Sequence, residues 1–521
     1  MKQEPLQDEV QSNHPMEKLS LNKDFFKKFG IEIYPQSIRS KEGTTFLIGR
    51  KKLDKYLYLI SSKNETDILE RFIGDLLNPD NGADLLIKRC YLNTPNRMLL
   101  QVYFEFTNPK VLGLSNSFGF GDRIGLANAG HIRSLQGSDF KPILAQQSIR
   151  ELTRTNRNPE EILNAAVWAV FQEGYENGFG ADADHLKTTE DIGLMVRAGF
   201  TMFTFDPGEF VINEADILDE KDLDEKIKSI DWKTLNSDVD ELSSLYQKEN
   251  IIISDTLTLT PSSLDFKRAV VKYGNAIAHI NKLYDHLKSM YPDYESEVEI
   301  SVDETDSVTS PFEHFFIAGE LKRLNVQLIS LAPRFVGAFE KGIDYRGDLN
   351  LFKEEYLKHL SIIKYYGSYK ISLHSGSDKF SVYKVIGELS NAYTHVKTAG
   401  TSYLEALKVS ALKNPSLFRE ILDFSRSIYE SEKKTYHVSA DLNSLKPAKE
   451  YNDEELLNLF TNDDCRQILH VCFGRVLTDK DSLDNLIFKE RLVKCLNEFE
   501  ETHYEILINH FKKHLEPFRQ L

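Results

Sequence analysis

The sequence is poor in cysteine and has no long hydrophobic segment. Only four of its 521 residues are cysteines (Cys90, Cys465, Cys472 and Cys495), and no two of them form a Cys-x-x-Cys pair. This spacing predicts neither a disulfide framework nor a thiolate zinc site, and it suits a reducing compartment. No apolar run approaches the roughly 20 residues of a transmembrane helix, and the first residues lack the apolar core of a signal peptide. We therefore expect a cytoplasmic protein that does not span a membrane.

Several motifs of nucleotide-binding and hydrolytic enzymes are also absent. The sequence has no Gly-x-Gly-x-x-Gly at a first strand–helix turn, no Lys-Ser/Thr pair after its GFGDR stretch and no Gly-x-Ser-x-Gly. These absences argue against a nucleotide cofactor and against a serine hydrolase.

Positive charge is in deficit. The 64 lysines and arginines against 80 aspartates and glutamates leave a formal net charge of -16. Such a field repels nucleic acid and anionic membranes, so we expect neither as a partner. A small anionic substrate is still compatible with it, because a local cluster of basic side chains in a cleft outweighs a distant negative surface.

Eight short apolar runs, each followed by a stretch of helical periodicity, are spread over residues 110–413. The runs are VLGLSNSFGF, PILAQQSI, GFGADADH, MFTFDPGEF, VEISVDE, VQLISLAPRF, YKISLHSG and THVKTAGTS. This repetition of βα units predicts an α/β protein with a (β/α)8 TIM-like barrel. An open doubly wound sheet is the alternative, and the missing glycine-rich first turn argues against it.

Other segments flank or interrupt the predicted barrel. Residues 1–20 are polar without apolar periodicity, and we expect a mobile extension there. Residues 21–109 have the mixed pattern of an N-terminal α+β flanking subdomain. A helical insertion of about 212–294 follows the fourth run, and residues 414–521 read as a C-terminal helical appendage.

Nearly every predicted barrel strand ends in polar or ionisable residues, which is where the catalytic groups of this fold lie. These residues are Asp122, Arg123, Gln146, Gln147, Asp182, Asp184, His185, Lys187, Asp206, Glu299, Asp303, Glu304, Arg334, His374, Asp378, Lys379 and Lys397. A purely structural barrel would not need them.

A divalent metal site is predicted at the third and seventh strand ends. Asp184 and His185 end the third strand, and His374 ends the seventh and can face them across the barrel mouth. Two histidines with a carboxylate suit one divalent cation, and Zn, Mn, Co, Ni and Fe are all compatible because no thiolate is involved. Glu299, Glu340 or a water are alternatives for the third ligand. A solvated acidic loop is the alternative for the third strand end by itself.

Glu299 is a candidate general acid or base. It lies in a strand whose apolar residues Val298, Ile300 and Val302 alternate with it, so its side chain is expected inside the barrel. A carboxylate buried there is costly unless it is paired, bound to a metal or used with a raised pKa. A structural ion pair with a barrel lysine is the alternative.

Several cations are expected around the same mouth. Arg123, Lys187, Arg334 and Lys341 are predicted to bind substrate, and Lys397 adds a fifth positive charge. An arginine fork suits a carboxylate or a phosphate, so we expect an anionic substrate. Turns in the seventh and eighth loops would also accommodate a phosphate group.

Five motifs, in order along the chain, resemble the bacterial tagaturonate epimerase family. They are GLSNSFGFGDRIGLA, GFGADADHLKT, ISVDET followed by SPFEHFFIA, LAPRFVGAFEKGIDY and KISLHSGSDKF. The resemblance covers most of the chain. It implies an isomerase of hexuronate catabolism that interconverts D-tagaturonate and D-fructuronate with a divalent metal. It also implies Asp184 as proton acceptor, Glu299 as proton donor, and His185 and His374 as metal ligands.

The implied substrate dictates a hypothesis for the mechanism. The inverted carbon is β to the ketone, so its proton is not acidic and simple enolisation would act at the wrong centre. Retro-aldol cleavage and re-addition to the other face of the resulting aldehyde avoids this difficulty. A metal-dependent aldolase or ketose isomerase acting on another sugar acid or a sugar phosphate is the second hypothesis. A catalytically silent sugar-acid-binding or scaffold protein is the third.

Overall fold

A computed structural model of the protein describes residues 23–77, 85–389 and 393–519. These residues form two compact units. The first unit comprises residues 23–77, 85–108 and 167–176, and the second comprises the remaining described residues. The extension expected over residues 1–20 lies outside the described residues.

The first unit is built on an antiparallel sheet. Its strands are β1 (Ile31–Ile33), β2 (Arg39–Lys41), β3 (Thr44–Lys51), β4 (Asp54–Ser62), β5 (Gly74–Leu77) and β6 (Leu85–Cys90), and its helices are α1 (Lys23–Lys28), α2 (Asp67–Arg71) and α3 (Thr94–Tyr103). The sheet order is β1-β3-β4-β6-β5, and β2 also pairs with β3. Leu47, Tyr58, Ile60 and Ile87 are buried in its core. The unit therefore combines an antiparallel sheet with short helices.

The second unit contains a closed barrel of eight parallel strands. The strands are β7 (Ser117–Phe120), β8 (Lys141–Ser148), β9 (Gly180–Leu186), β10 (Met202–Phe205), β13 (Glu297–Val302), β14 (Leu328–Pro333), β15 (Lys370–Leu373) and β16 (Thr394–Thr398), while β11 (Ile251–Ser254) and β12 (Leu257–Leu259) form a separate antiparallel pair. Neighbours in the barrel follow chain order, and β16 closes on β7. Each predicted run contains one barrel strand, so the predicted (β/α)8 barrel is confirmed.

Helices account for most of the remaining residues of this unit. They are α4 (Asn128–Ser134), α5 (Ile149–Thr155), α6 (Pro159–Glu173), α7 (Thr189–Ala198), α8 (Glu220–Ile227), α9 (Trp232–Leu235), α10 (Val239–Tyr246), α11 (Ser263–Met290), α12 (Pro311–Arg323), α13 (Leu349–Tyr366), α14 (Phe380–Glu388), α15 (Thr401–Lys413), α16 (Pro415–Glu432), α17 (Asp453–Asn458), α18 (Asp463–Val471), α19 (Phe473–Thr478), α20 (Lys489–Glu498) and α21 (Glu500–Leu515), of which α6 extends into residues 167–176 of the first unit. Among the described residues, none of the helices combines the length and the hydropathy that a bilayer crossing requires.

Helix α12 has a capping box at its first turn. The Ser310 hydroxyl accepts a hydrogen bond from the Glu313 amide at 3.2 Å, and the Glu313 carboxylate accepts one from the Ser310 amide at 2.7 Å. Pro311 takes the first helical position, where a backbone N–H would have no helical partner. This capping box starts the helix directly after the loop that follows β13.

Buried polar side chains line several barrel strands where branched apolar ones are usual. These buried polar residues include Asp182, Thr204, Glu299, Ser330, Lys370, Ser372, His395 and Lys397. Backbone pairing places Glu299 opposite Thr204 on one neighbouring strand and opposite Ser330 on the other. Because such burial is costly unless the groups contact one another or a ligand, this layer marks the functional region of the barrel.

The insertion after β10 is joined to α12 by one buried lysine. Lys272 of α11 is 0% exposed, and its ammonium lies 2.8 Å from Glu313 and 3.0 Å from Asp216. It also donates to the Ser307 hydroxyl at 2.6 Å. The ammonium is therefore the shared partner of two carboxylates on different segments.

Replacing this lysine tests its structural role. We expect Lys272→Met to lower the free energy of unfolding by about 3 kcal/mol, because it leaves two partly buried carboxylates without their cation. Lys267→Met is the control on the same helix, since its partner Asp224 is 53% exposed, and we expect a loss below about 1 kcal/mol. Urea unfolding followed by circular dichroism measures both values, and equal losses would contradict the assignment.

Candidate active site

The four residues predicted to carry the chemistry lie together at the mouth of the barrel. Asp184 and His185 are at the end of β9, Glu299 is within β13, and His374 directly follows β15. The imidazole rings of His185 and His374 are 5.2 Å apart between centroids. His185 Nδ1 lies 2.8 Å from Asp184, and His374 Nε2 lies 2.7 Å from Glu299. One ring nitrogen of each histidine is thus within hydrogen-bonding distance of a carboxylate.

Asp303, just beyond β13, lies in front of both histidines. Its Oδ1 is 3.1 Å from His374 Nδ1 and 3.9 Å from His185 Nε2. The Ser301 hydroxyl donates to the same oxygen at 2.5 Å. The ligand atoms of His185, Asp303 and His374 all lie within 4.8 Å of one another. Asp303 is among the strand-end residues, and its alternation with Glu299 is the sequence signal that would have selected it as a ligand.

Glu340, an alternative ligand in the sequence analysis, is engaged elsewhere. Its Oε2 accepts hydrogen bonds at 2.6 Å from the Ser439 hydroxyl and from the Gln467 amide. Both donors belong to the C-terminal helical region. The Glu340 carboxylate therefore anchors its loop to that region through these two hydrogen bonds.

This arrangement fits one divalent cation. A neutral imidazole that donates from one nitrogen to a carboxylate presents a lone pair at the other nitrogen, and on His374 that second nitrogen faces the Asp303 carboxylate. A cation bound by both groups would remove the repulsion between the nitrogen lone pair and the carboxylate charge. The second nitrogen of His185, Nε2, is buried and has no hydrogen-bond partner among the described residues. Carboxylates behind metal-ligating histidines are the usual outer partners, and two imidazoles with one carboxylate suit Zn, Mn, Fe, Co or Ni.

Lys397 of β16 compensates the carboxylates behind the histidines. Its ammonium lies 2.7 Å from Asp182, from Asp184 and from Glu299. The ammonium also donates to the Thr204 hydroxyl at 2.6 Å. Three buried carboxylates around one ammonium leave two negative charges in excess, before Asp303 is counted.

The pKa values of these carboxyl groups diverge because their neighbours differ. Burial raises the pKa of Asp182 to about 6, in spite of Lys397. Burial acts in the same direction on Asp184 and Glu299, but Lys397 and the histidines outweigh it and hold the pKa of each well below its usual range. Asp184 and Glu299 are therefore ionised at neutral pH and able to accept a proton.

The negative excess also acts on the two histidines. Burial lowers the pKa of His185, but Asp184 outweighs it and raises that pKa to about 9. Burial likewise opposes protonation of His374, whose pKa Asp303 and Glu299 raise to about 10. Without a metal, both histidines are therefore positively charged imidazolium groups at neutral pH. A divalent cation would replace these two positive charges.

Two of the four predicted substrate-binding cations are committed to other contacts. Arg123 is buried, pairs with Glu151 at 2.9 Å and lies over the Phe473 ring at 3.6 Å. Lys187 is half-exposed, and its ammonium lies 3.0 Å from Glu209 and lines a cavity of about 680 Å³ beside His185. Lys187 is thus paired with Glu209, whereas Arg123, although paired with Glu151, also lines a smaller cavity of about 50 Å³ with Asp184, His185 and His374.

The other two cations lie in one cavity with Asp303 and His374. Arg334 and Lys341 line a cavity of about 370 Å³ together with Asp303 and His374. Lys341 donates to the Ser375 hydroxyl at 2.6 Å, and the Arg334 guanidinium donates to a backbone carbonyl. Within the described ranges, no carboxylate lies within 4.0 Å of either charged group. Their charge is therefore available to an anionic ligand.

Two further residues of this cavity, Arg150 and Tyr436, are not among the site residues predicted from the sequence. Arg150 lies two residues beyond β8, pairs loosely with Glu304 at 3.4 Å and lines the cavity. Reading the strand end two residues further would have found it. Tyr436 reaches the cavity from the C-terminal helical region, and no local pattern in the sequence indicates that placement.

Comparison with known proteins covers nearly the whole chain. The family model described as tagaturonate epimerase matches residues 34–518. The tagaturonate/fructuronate epimerase of Thermotoga maritima is 40% identical over 499 residues, which are 96% of this chain and 99% of that protein. The chain belongs to the tagaturonate epimerase family. Native and glycerol-bound crystal structures of fructuronate-tagaturonate epimerase from Cohnella laeviribosi are 36% and 35% identical, each with a TM-score of 0.88 over 96% of this chain and 99% of theirs.

Membership in the tagaturonate epimerase family confirms the resemblance given by the five motifs, and with it the expected isomerase class. The Cohnella structures agree with the barrel architecture over almost their full length.

A second group of possible ligands in this epimerase already uses its donor atoms. The Asp378 carboxylate contacts His510 at 2.6 Å and Arg466 at 2.7 Å, and the Asp378 amide donates to His514 at 3.1 Å. Lys379, beside it, donates to backbone carbonyls at Glu340 and Ser377. Asp378 and Lys379 of the seventh loop are thus paired with other protein groups, and the phosphate-binding turn expected at the seventh and eighth loops stays a prediction.

The raised histidine pKa values predict a strong pH dependence of metal binding. Below about pH 9 both imidazoles of the metal-free protein are protonated, so a metal must displace these protons. We expect affinity to rise by tenfold to about a hundredfold per pH unit between pH 6.5 and 8.5. Chelator competition at several pH values measures this slope, and calorimetry in two buffers measures the released protons. A slope near zero would contradict the assigned ligands.

Proposed function

We propose that this epimerase interconverts D-tagaturonate and D-fructuronate with one divalent cation bound by His185, Asp303 and His374. The observation that carries the proposal is the direct contact of the two histidines with Asp184 and Glu299. The metal ligands and two ionised carboxylates therefore share one cleft. The names of the Thermotoga and Cohnella relatives support the substrate pair. Bound there, a divalent cation supplies stabilisation of negative charge on substrate oxygens.

The carboxylates provide the proton transfers of a retro-aldol epimerisation. Asp184 or Glu299 accepts the proton of the hydroxyl on the inverted carbon, and that carbon becomes an aldehyde as its bond to the neighbouring carbon breaks. The electron pair of this bond stays with the ketone fragment. After the aldehyde rotates, the same electron pair re-forms the bond on the other face, and the opposite carboxyl group returns a proton to the oxygen.

Lys397 stabilises the charge that moves between the two carboxylates in this cycle. It lies 2.7 Å from both Asp184 and Glu299, and the carboxylates around it raise its pKa well above its usual range, so it stays an ammonium. The proton taken up by one carboxylate passes to the opposite one before it returns to the oxygen, and the starting protonation state is thereby restored after each turnover. Asp182, whose pKa is raised to about 6, contacts the same ammonium and adds a further proton acceptor.

Arg334 and Lys341 are the cations that we assign to the substrate carboxylate. Both line the cavity beside His374, and neither has a carboxylate partner within the described part of the chain. Binding the carboxylate there retains the cleaved fragment while the aldehyde rotates. Arg123 and Lys187, which the sequence analysis also selected, are occupied by Glu151 and Glu209.

Turnover of the substrate tests the function directly. We expect NMR of the metal-reconstituted protein to show conversion of D-tagaturonate to D-fructuronate. Conversion should stop after chelation and in His374→Ala, because both remove the cation. The control is His286→Ala, which changes a histidine on α11 outside the cleft and should retain activity. A released aldehyde fragment would instead favour an aldolase, and no conversion by folded, metal-loaded protein would refute the substrate.

Glu299 can be tested against another buried glutamate on the same strand. Glu299→Gln keeps the shape and a hydrogen-bonding group beside His374 but removes the proton acceptor, so kcat should fall by about 10²- to 10⁴-fold. Glu297→Gln is the control, because Glu297 is buried but accepts only backbone hydrogen bonds from Leu112 and Gly113. Steady-state kinetics with metal content measured in parallel would decide, and similar losses in both variants would contradict the role of Glu299.

A further inference from the structure

Arg466 of α18 connects the two loops that carry the substrate cation and a metal ligand. Its Nε donates to the Gly342 carbonyl at 2.7 Å, and its Nη2 lies 2.7 Å from the Asp378 carboxylate. A third donor, Nη1, reaches the Phe460 carbonyl at 3.0 Å. The residue is 7% exposed and does not line the catalytic cavity. Its planar fork therefore joins three backbone segments from behind the site.

The first loop runs from the end of β14 to the start of α13 and contains Lys341. Gly342, which accepts from Arg466, is the next residue, and its φ of +75° lies in the left-handed region. Lys341 itself donates to the Ser375 hydroxyl at 2.6 Å on the cavity side. A shift of the Gly342 carbonyl would therefore move the Lys341 ammonium.

The second loop follows β15 and begins with His374. Asp378, four residues later, also has a positive φ, of +62°, so its backbone depends on tertiary contacts. Arg466 and His510 contact its carboxylate, and His514 accepts from its amide. The segment behind His374 is thus anchored by residues of the C-terminal helical region and, through Lys379, by the Glu340 carbonyl of the β14 loop.

We propose that Arg466 is a positioning residue that sets the separation between the Lys341 ammonium and the His374 imidazole. The inference rests on the proposed function, because this separation becomes the distance between the bound substrate carboxylate and the reacting carbons. A substrate held at both ends requires these groups at a fixed spacing. Lysine cannot replace the fork, since one ammonium cannot satisfy Gly342 and Asp378 with the same geometry.

Replacing Arg466 should change KM, which reports substrate binding, more than kcat. Arg466→Lys keeps the charge opposite Asp378 but loses the contact with Gly342, so the anchoring of Lys341 weakens. We expect KM for D-tagaturonate to rise about tenfold while kcat changes less than about threefold, as for an interaction made equally in ground and transition states. Arg466→Met also releases Asp378, and we expect metal affinity to fall about tenfold.

A double-mutant cycle tests whether Arg466 acts through Lys341. In a Lys341→Met background, Arg466→Lys should change KM less than about twofold, because the group that it positions is gone. Arg475→Lys is the matched control, since Arg475 of the adjacent helix α19 is 45% exposed and pairs with Asp479. We expect no change in KM or metal affinity from it.

The outcomes separate this inference from the substrate proposal. If the wild type does not convert D-tagaturonate, the substrate is wrong, and the inference is judged by metal affinity and by hydrogen exchange of residues 335–347 and 374–379. Arg466→Lys keeps the buried charge and can therefore be used even if Arg466→Met fails to fold. Faster exchange of both loops in Arg466→Lys would support the inference. Unchanged exchange and unchanged metal affinity, or additive effects of Arg466→Lys and Lys341→Met on KM, would overturn it.

Discussion

The ammonium of Lys397 is the contact on which the proposed active site depends. Three carboxylates from β9 and β13 lie inside the barrel at 2.7 Å from it, where an unpaired charge costs several kcal/mol. Without a cation on β16, Asp182, Asp184 and Glu299 would not remain buried and ionised together. β16 pairs with β7 and is three strands away from both β9 and β13 in the closed barrel, so its lysine reaches all three carboxylates across the barrel interior. Barrel closure and active-site charge balance are therefore linked.

The same carboxylates have two consequences for the histidines. Asp184 and Glu299 each contact one ring nitrogen, which orients the imidazole and directs its other nitrogen toward Asp303. Their charge also raises the pKa of both histidines, so the metal-free site is balanced by protons and the loaded site by a cation. The orientation of the histidines, and the proton acceptance and metal binding that we propose, thus depend on one group of buried charges.

The C-terminal helical region takes part in the site through the loops it contacts. Tyr436 lines the cavity, Ser439 and Gln467 fix Glu340, and Arg466 reaches both the β14 and the β15 loops. These loops contain positive-φ residues, and tertiary contacts hold such backbone in place. The region described from sequence as an appendage belongs to the same compact unit as the barrel.

The sequence by itself determined the barrel, the family and the strand-end positions of Asp184, His185, Glu299 and His374, because strand periodicity and parallel topology place such residues at one mouth. It also found five cations near that mouth. Only the tertiary structure decided that Asp303 faces both histidines, that Arg334 and Lys341 keep their charge available, and that Arg123 and Lys187 do not. The physical reason is that a charge's partners come from segments distant in the chain, such as Glu151 for Arg123 and Asp378 for Arg466, and local pattern carries no information about them.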